Sequence, residues 1–331
     1  MSEPEPYSRI AVLGAGAWGS ALALTLLAAG RDTTLWVRED DVLATIKSTR
    51  QNRFLPGVTL PENLKVTGDL GDAAQAETLL LAVPAQVLRA FTANLASHLR
   101  PGTPLVICAK GIEKDTGRLL NEVVAAAAPS ASVAILSGPS FARDVARGLP
   151  TAVTIAGKIG ASRLQLSLST PVFRPYASDD VTGVALGGAA KNVYAIACGV
   201  VEGLGLGENA RAALLARSFA ELARLGEALG AKTETLMGLS GLGDLVLTAT
   251  SKSSRNFSFG VELGRGKSIA ALRAPTNPLA EGVDTAPALV RRARETGVEL
   301  PIAEAMADLL SGALPLGEAL TRLMSRRLKA E

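Results

Sequence analysis

The stretch Gly14-Ala15-Gly16-Ala17-Trp18-Gly19 constrains this chain more than any other. It follows Arg9-Ile10-Ala11-Val12-Leu13, an apolar run with strand character, and leads into Ser20 to Leu27, which reads as a helix. Strand, tight glycine turn and helix in succession form the G-x-G-x-x-G pattern, in which each glycine has its own task. The first permits the turn, the second lets a ligand approach the backbone, and the third lets helix and strand pack closely. The free amides at such a helix start suit a pyrophosphate, so a bound dinucleotide is expected on the loop of Gly14, Gly16 and Gly19.

The rest of the N-terminal half repeats the alternation. Thr33–Val37, Leu64–Val66, Thr78–Val83, Thr103–Ala109, Ser132–Leu136 and Thr151–Ile155 read as strands, with helical patterns near Gln86–Leu99 and Arg118–Ala128. Short apolar strands separated by helices predict a Rossmann-like, doubly wound parallel sheet. Pro84 and Pro139 mark loops just past strands, on the edge where such sheets bind ligands. From about Asp179 the strand-like runs stop, and Ala, Leu and Gly recur at helical spacing. Breaks fall at Gly203-Leu204-Gly205, Gly238–Gly241, Gly264-Arg265-Gly266, Pro275–Pro278 and Pro301. The expected architecture is an α/β domain over residues 1–182 and an all-α substrate domain over 183–331.

Bulk properties narrow the function classes. The chain has 331 residues, 48% of them hydrophobic and 20% charged, with a formal net charge of +3. That is a globular composition long enough for two domains. No Lys/Arg block precedes the short tail Arg326-Arg327-Leu328-Lys329, which reads as a solvated helix end, so no nucleic-acid partner is expected. Val181–Val201 is apolar enough to resemble a membrane span, but Lys191 lies at its centre among small residues. A buried helix of a soluble protein is expected there. Cys108 and Cys198 sit in apolar runs and read as reduced buried thiols, and the acidic N-terminus Ser2-Glu3-Pro4-Glu5-Pro6 fits no signal peptide. The expected setting is cytoplasmic, and the apolar helical half is compatible with a homodimer.

Second-strand chemistry bears on the cofactor. The strand ending at Val37 is followed by Arg38, Glu39 and Asp40. An arginine there suits a 2′-phosphate, whereas an acid suits free ribose hydroxyls. The reading leans to NADP(H) and admits NAD(H). Glu39 and Asp40 also fit a plain helix start.

The sharpest signal lies in the helical half. Lys191 is the single charged residue between Asp180 and Glu202, and Asp244 the single one between Glu234 and Lys252. Isolated charges in apolar segments are costly unless paired or functional, so the two are expected to meet. Burial and a neighbouring carboxylate pull an ammonium's proton affinity in opposite directions, a balance that serves proton transfer. A structural ion pair is the competing reading. Lys252-Ser253-Ser254-Arg255-Asn256 gathers donors that fit a phosphate. Lys110, at a strand end, and Gly138-Pro139-Ser140, at another, could bind an anion, or the latter could be an N-cap. His98, the only histidine, falls at a helix end with no partner in view, and no His/Cys cluster has metal spacing, so no metal is expected. What remains is hydride transfer assisted by a lysine.

These blocks, with Leu35–Arg38, Phe54-Leu55-Pro56, Val83-Pro84, Lys110-Gly111, Ser137–Ala142, Lys191-Asn192-Val193, Gly203–Gly207, Gly241–Leu245, Thr250-Ser251, Ser254–Asn256 and Glu281-Gly282-Val283, give the chain a recognisable pattern. It resembles the NAD(P)-dependent glycerol-3-phosphate dehydrogenases of bacterial type over nearly its whole length. The resemblance implies reduction of dihydroxyacetone phosphate to sn-glycerol 3-phosphate, and the reverse, for glycerophospholipid synthesis. It implies Lys191 as general acid/base, oriented by Asp244, Asn192 and Thr248. Lys110, Gly138, Ser140, Ser254, Arg255 and Asn256 would hold the substrate, Arg255 on its phosphate. Cofactor contacts would come from Ala17, Trp18, Arg38, Lys110, Ala142, Arg255, Leu279 and Glu281. Asp144 and Ala85 depart from the family's usual Glu and Ser. Two alternatives share the pattern: a β-hydroxyacid or ketopantoate-type reductase, and a non-catalytic dinucleotide-binding redox regulator.

Overall fold

The structure is a computed structural model that describes residues 4–274 and 280–325. The tail from Arg326 and the break at Pro275–Pro278 lie outside the described residues. The chain divides into two compact units: Met1–Lys110 with Leu120–Ala185, and Gly111–Leu119 with Leu186–Glu331.

The first unit holds one sheet of β1 (Arg9–Leu13), β2 (Asp32–Trp36), β3 (Lys65–Thr67), β4 (Thr78–Leu81), β5 (Pro104–Ile107), β6 (Ser132–Ser137), β7 (Thr151–Gly157) and β8 (Phe173–Ser178). The spatial order is β3-β2-β1-β4-β5-β6-β7-β8. Its helices are α1 (Ala17–Ala28), α2 (Asp40–Thr49), α3 (Leu70–Ala73), α4 (Leu88–Ala96), α5 (Leu120–Ala127), α6 (Ala142–Ala146) and α7 (Ala161–Leu168). The order reverses at β1 and β4, so their C-terminal ends form the switch-point crevice where such sheets bind ligands. Leu13 is level with Trp36 on one side and Leu81 on the other, which brings the fingerprint loop to that crevice. Ile10, Val12, Leu35, Leu80 and Val106 are buried in the core, the pattern of central strands covered on both faces.

Two details differ from the expected sheet. The β6–β7 pairing is antiparallel, while the other strand pairings are parallel. Between them the chain passes through the short α6 and returns beside β6 in the opposite direction. The last strand, β8, shows no strand pattern in sequence, because Phe-Arg-Pro-Tyr-Ala-Ser carries Pro175 and exposed Arg174 and Tyr176. As the edge strand it can accommodate a residue with no amide donor.

The division between units falls within α8 (Val181–Gly203). The second unit continues with α9 (Gly207–Ala228), α10 (Thr233–Met237), a π-helical turn over Leu239–Gly243, α11 (Asp244–Thr250), α12 (Arg255–Gly264), α13 (Ile269–Leu272), α14 (Glu281–Glu295), α15 (Pro301–Ser311) and α16 (Leu316–Met324). Among the described residues α8 is the one helix long and apolar enough to cross a membrane, yet its apolar window is wholly buried in the protein. Glycines let other helices reach its backbone. A Cβ on Gly199 would lie 2.1 Å from the Phe257 carbonyl oxygen, and one on Gly260 2.1 Å from that of Ile196. With Gly203 against Gly264, the contact reads G-x-x-x-G on both helices. Gly282 meets the Asn192 carbonyl, and Gly187 meets that of Ser240, in the same manner.

One buried acid supports this frame. Glu221 of α9 is 3% exposed and accepts from the Ile302 and Ala303 amides, at 2.6 and 3.2 Å, at the start of α15. Those are amides that the helix leaves without internal partners. The Tyr194 hydroxyl donates to the same carboxylate at 3.3 Å. Burial nevertheless pushes the Glu221 carboxyl up to about 7, with the two amides, Arg224 and Tyr194 pulling the other way.

Candidate functional site

In the N-terminal unit the three fingerprint glycines have three different environments. Gly14 has φ of 117°, left-handed backbone that favours glycine, and a Cβ there would lie 2.9 Å from the Ala82 carbonyl. Gly19, already in the first turn of α1, would place a Cβ 1.9 Å from the Gly14 carbonyl oxygen. Gly16 has nothing within 4 Å of its Cβ position, so that side of the loop is open to a ligand. No side chain caps the start of α1, and no acid lies in its first turn. These features fit a pyrophosphate on the helix amides. The buried Trp18 indole Nε1 has no hydrogen-bond partner among the described residues.

Sequence reasoning missed the residue that ties this loop down. Asn52, 2% exposed, donates through Nδ2 to the Ala15 carbonyl and to Ser20 Oγ, each at 2.8 Å. Its Oδ1 accepts from the Phe54 amide at 3.0 Å, which fixes the start of the Phe54-Leu55-Pro56 loop. That loop, Ala17, Gly57 and Arg143 line a cleft of about 370 Å³. Arg143 was also missed. It follows Ala142, the first residue of α6, and an unremarkable Arg in a short helix gives no pattern of its own.

Other predicted residues follow β2, β5 and β6. Arg38 is exposed just past β2 and donates to Glu39 Oε1 through Nε at 3.1 Å and Nη2 at 2.6 Å. Lys110, just past β5, donates from Nζ to the Gly138 carbonyl at 2.8 Å. Ser140 Oγ donates to the same oxygen at 3.0 Å. Gly138 has φ of 151° and would drive a Cβ to 2.8 Å from Val153 Cα, so the bend past β6 requires glycine.

The C-terminal unit brings the expected pair together. Lys191 and Asp244 are 7% and 1% exposed, and Lys191 Nζ donates to Asp244 Oδ1 at 2.6 Å. It also donates to Thr248 Oγ1 at 2.9 Å, and Thr248 Oγ1 lies 3.3 Å from Asp244 Oδ1. One helical turn separates Asp244 and Thr248 on α11, so both face the same ammonium. The π-helical turn that precedes Asp244 depends on Gly241, whose Cβ would fall 1.9 Å from the Leu236 carbonyl oxygen.

A second cluster adjoins Lys191 along the chain. Asn256 donates from Nδ2 to Asn192 Oδ1 at 2.9 Å and accepts at Oδ1 from the Gly282 amide at 3.0 Å. One buried carboxamide thus links α8, the start of α12 and the start of α14. Ser254 is the N-cap of α12, accepting from the Phe257 amide at 3.2 Å, and Arg255 is exposed in its first turn. Glu281 opens α14. Leu279 lies outside the described residues. His98 is exposed just past α4. Both thiols are buried, and burial pushes Cys198 up to about 12 and Cys108 higher still.

Residues 9–161 match the family described as NAD-dependent glycerol-3-phosphate dehydrogenase N-terminus, and residues 180–321 match its C-terminus. The chain is 52% identical over 328 residues to the glycerol-3-phosphate dehydrogenase [NAD(P)+] of Parvibaculum lavamentivorans, covering 98% of each. It is 55% identical over 327 residues to that of Bradyrhizobium sp. strain BTAi1, covering 98% of this chain and 99% of the relative. The crystal structure of glycerol-3-phosphate dehydrogenase from Coxiella burnetii superposes with a TM-score of 0.92 at 37% identity, over 98% of this chain and 100% of that one. An ordered fingerprint, a buried lysine–aspartate pair and a match running through both units leave one assignment: the chain belongs to the bacterial NAD(P)-dependent glycerol-3-phosphate dehydrogenase family.

Proposed function

We propose that this enzyme interconverts dihydroxyacetone phosphate and sn-glycerol 3-phosphate, with Lys191 as general acid/base. The buried contact of Lys191 Nζ with Asp244 Oδ1, at 2.6 Å, carries the reading. Asp244 and Thr248 hold the ammonium in one place, so that a proton at Nζ can be delivered to a developing alkoxide and recovered in reverse. Asn192, anchored by Asn256, completes the support on α8. Arg255 binds the substrate phosphate as a planar fork of donors, with Lys110, Gly138, Ser140, Ser254 and Asn256 as further substrate contacts by family resemblance. Ser254 and Asn256 also fix the start of α12 through bonds to protein groups.

Gly14, Gly16, Ala17, Trp18 and Gly19 would hold the cofactor, together with Arg38, Lys110, Ala142, Arg255, Leu279 and Glu281. Nicotinamide, when bound, supplies or accepts the hydride. NADP(H) is the favoured form through Arg38, and NAD(H) also serves. A homodimer in the cytoplasm completes the proposal, supported by exposed Met237 and Val246 on the helical unit; sedimentation as a monomer would remove the dimer.

Replacing Lys191 by Ala tests the chemistry. Turnover should fall on the order of a hundredfold or more while the Kd for NADPH changes little. Turnover within a fewfold of wild type would show that another group carries the proton.

A further inference from the structure

Just past β2 lie two residues of opposite charge bonded to each other. Glu39 is the N-cap position of α2, yet its side chain caps no helix amide; Oε1 accepts instead from Nε and Nη2 of Arg38. The Arg38 side chain is 68% exposed and that of Glu39 33%. The next acid but one, Asp41, pairs with Arg53, so it does not compete for Arg38. In a sheet of this kind the region ending the second strand meets the adenosine ribose. A carboxylate there accepts from free ribose hydroxyls, and a guanidinium takes a 2′-phosphate. This chain has one of each at adjacent positions.

We propose that Glu39 sets the cofactor preference by opposing Arg38. The proposal rests on reading Arg38 as the 2′-phosphate contact. An exposed ion pair is weak, so a phosphate dianion can take the guanidinium from Glu39. The Glu39 charge remains, held by the backbone at the next position beside the incoming dianion. Like charges at that range, in a solvent-exposed setting, lower binding by roughly tenfold at low salt. With NAD(H), the same carboxylate accepts from the 2′-hydroxyl and repels nothing. Arg38 alone would give a strong preference for the phosphorylated cofactor; Glu39 narrows it so that both forms serve.

Calorimetric Kd values for NADPH, NADH, 2′,5′-ADP and ADP on the full chain test this without turnover. Glu39→Gln keeps the shape and removes the charge; Glu39→Ser is a second neutral variant that can cap α2. Both should tighten NADPH and 2′,5′-ADP by about five- to tenfold and weaken NADH by a fewfold. The gain should shrink severalfold between 0.05 and 0.5 M salt, which a merely structural change would not do. A ratio of NADPH to NADH affinity within twofold of wild type in both variants overturns the proposal. Arg38→Ala separates the two levels. If it selectively weakens NADPH while the Glu39 variants do nothing, only the role of Glu39 fails. If it weakens both cofactors equally, the 2′-phosphate reading fails and takes the proposal with it.

Discussion

Arg38–Glu39 and Lys191–Asp244 have the same closest approach, 2.6 Å, and opposite surroundings. The first pair has side chains 68% and 33% exposed; the second, 8% and 1%. Water screens the first, so its members are free to exchange partners with a ligand. In the second, each charge depends on the other, because neither can be solvated. Equal geometry therefore supports different work: an exposed pair can tune which cofactor binds, and a buried one can hold a proton in a fixed position.

The strongest way to break that contrast is to remove one member of the buried pair. Asp244→Ala should destabilise the protein by about 3–5 kcal/mol, because the buried ammonium loses its carboxylate. Lys191→Met combined with Asp244→Leu should recover most of that stability with no recovery of turnover. Urea melts of the three proteins check it. If Asp244→Ala melts with wild type, the pair is not the buried, mutually dependent unit described.

Glu221 sharpens the comparison with a buried acid whose hydrogen bonds, among the described residues, come from two amides and a tyrosine hydroxyl. Its carboxyl is pushed up to about 7 by burial, against partial relief from two amides. The folded protein then holds this proton more tightly than the unfolded chain, whose carboxyl titrates near its ordinary value. Its contribution is full below about pH 4.5 and is lost as pH rises towards 7. Glu221→Gln should flatten the stability profile across that window by up to about 3 kcal/mol relative to wild type. Parallel urea titrations from pH 4.5 to 8 decide; profiles that stay parallel would show that Glu221 titrates normally.

The sequence made the buried pair legible because each charge stood alone in an apolar segment, and a lone buried charge must find its opposite. The fingerprint was legible for a similar reason: turn, open face and close packing each require glycine at a set spacing. Asn52 was not, although it holds Ala15, Ser20 and Phe54, because one amide in a loop looks like any other until the chain brings it to its partners. Strand β8 failed for a local reason, a proline that only an edge position tolerates. The antiparallel β6–β7 step was hidden because strand direction depends on the length and path of a connection, not on residue alternation. Ser254 and Asn256 carry a second role that the sequence does not display. Their groups look like phosphate donors in sequence, and in the fold they cap α12 and join three helices.

The smallest effect belongs to the exposed pair. Arg38→Ala removes a guanidinium that is mostly in water and whose partner is free to resolvate, so stability should change by no more than about 0.5 kcal/mol. The same substitution should weaken NADPH more than NADH, since the 2′-phosphate is the one cofactor group that differs between them. A urea melt and two Kd measurements read both arms on one protein. A loss of stability near that of Asp244→Ala would mean that exposure is a poor guide to what an ion pair contributes here. Equal losses for the two cofactors would mean that Arg38 meets some part they share. The expected split, selectivity without instability, is what distinguishes a charge placed for a ligand from one placed for the fold.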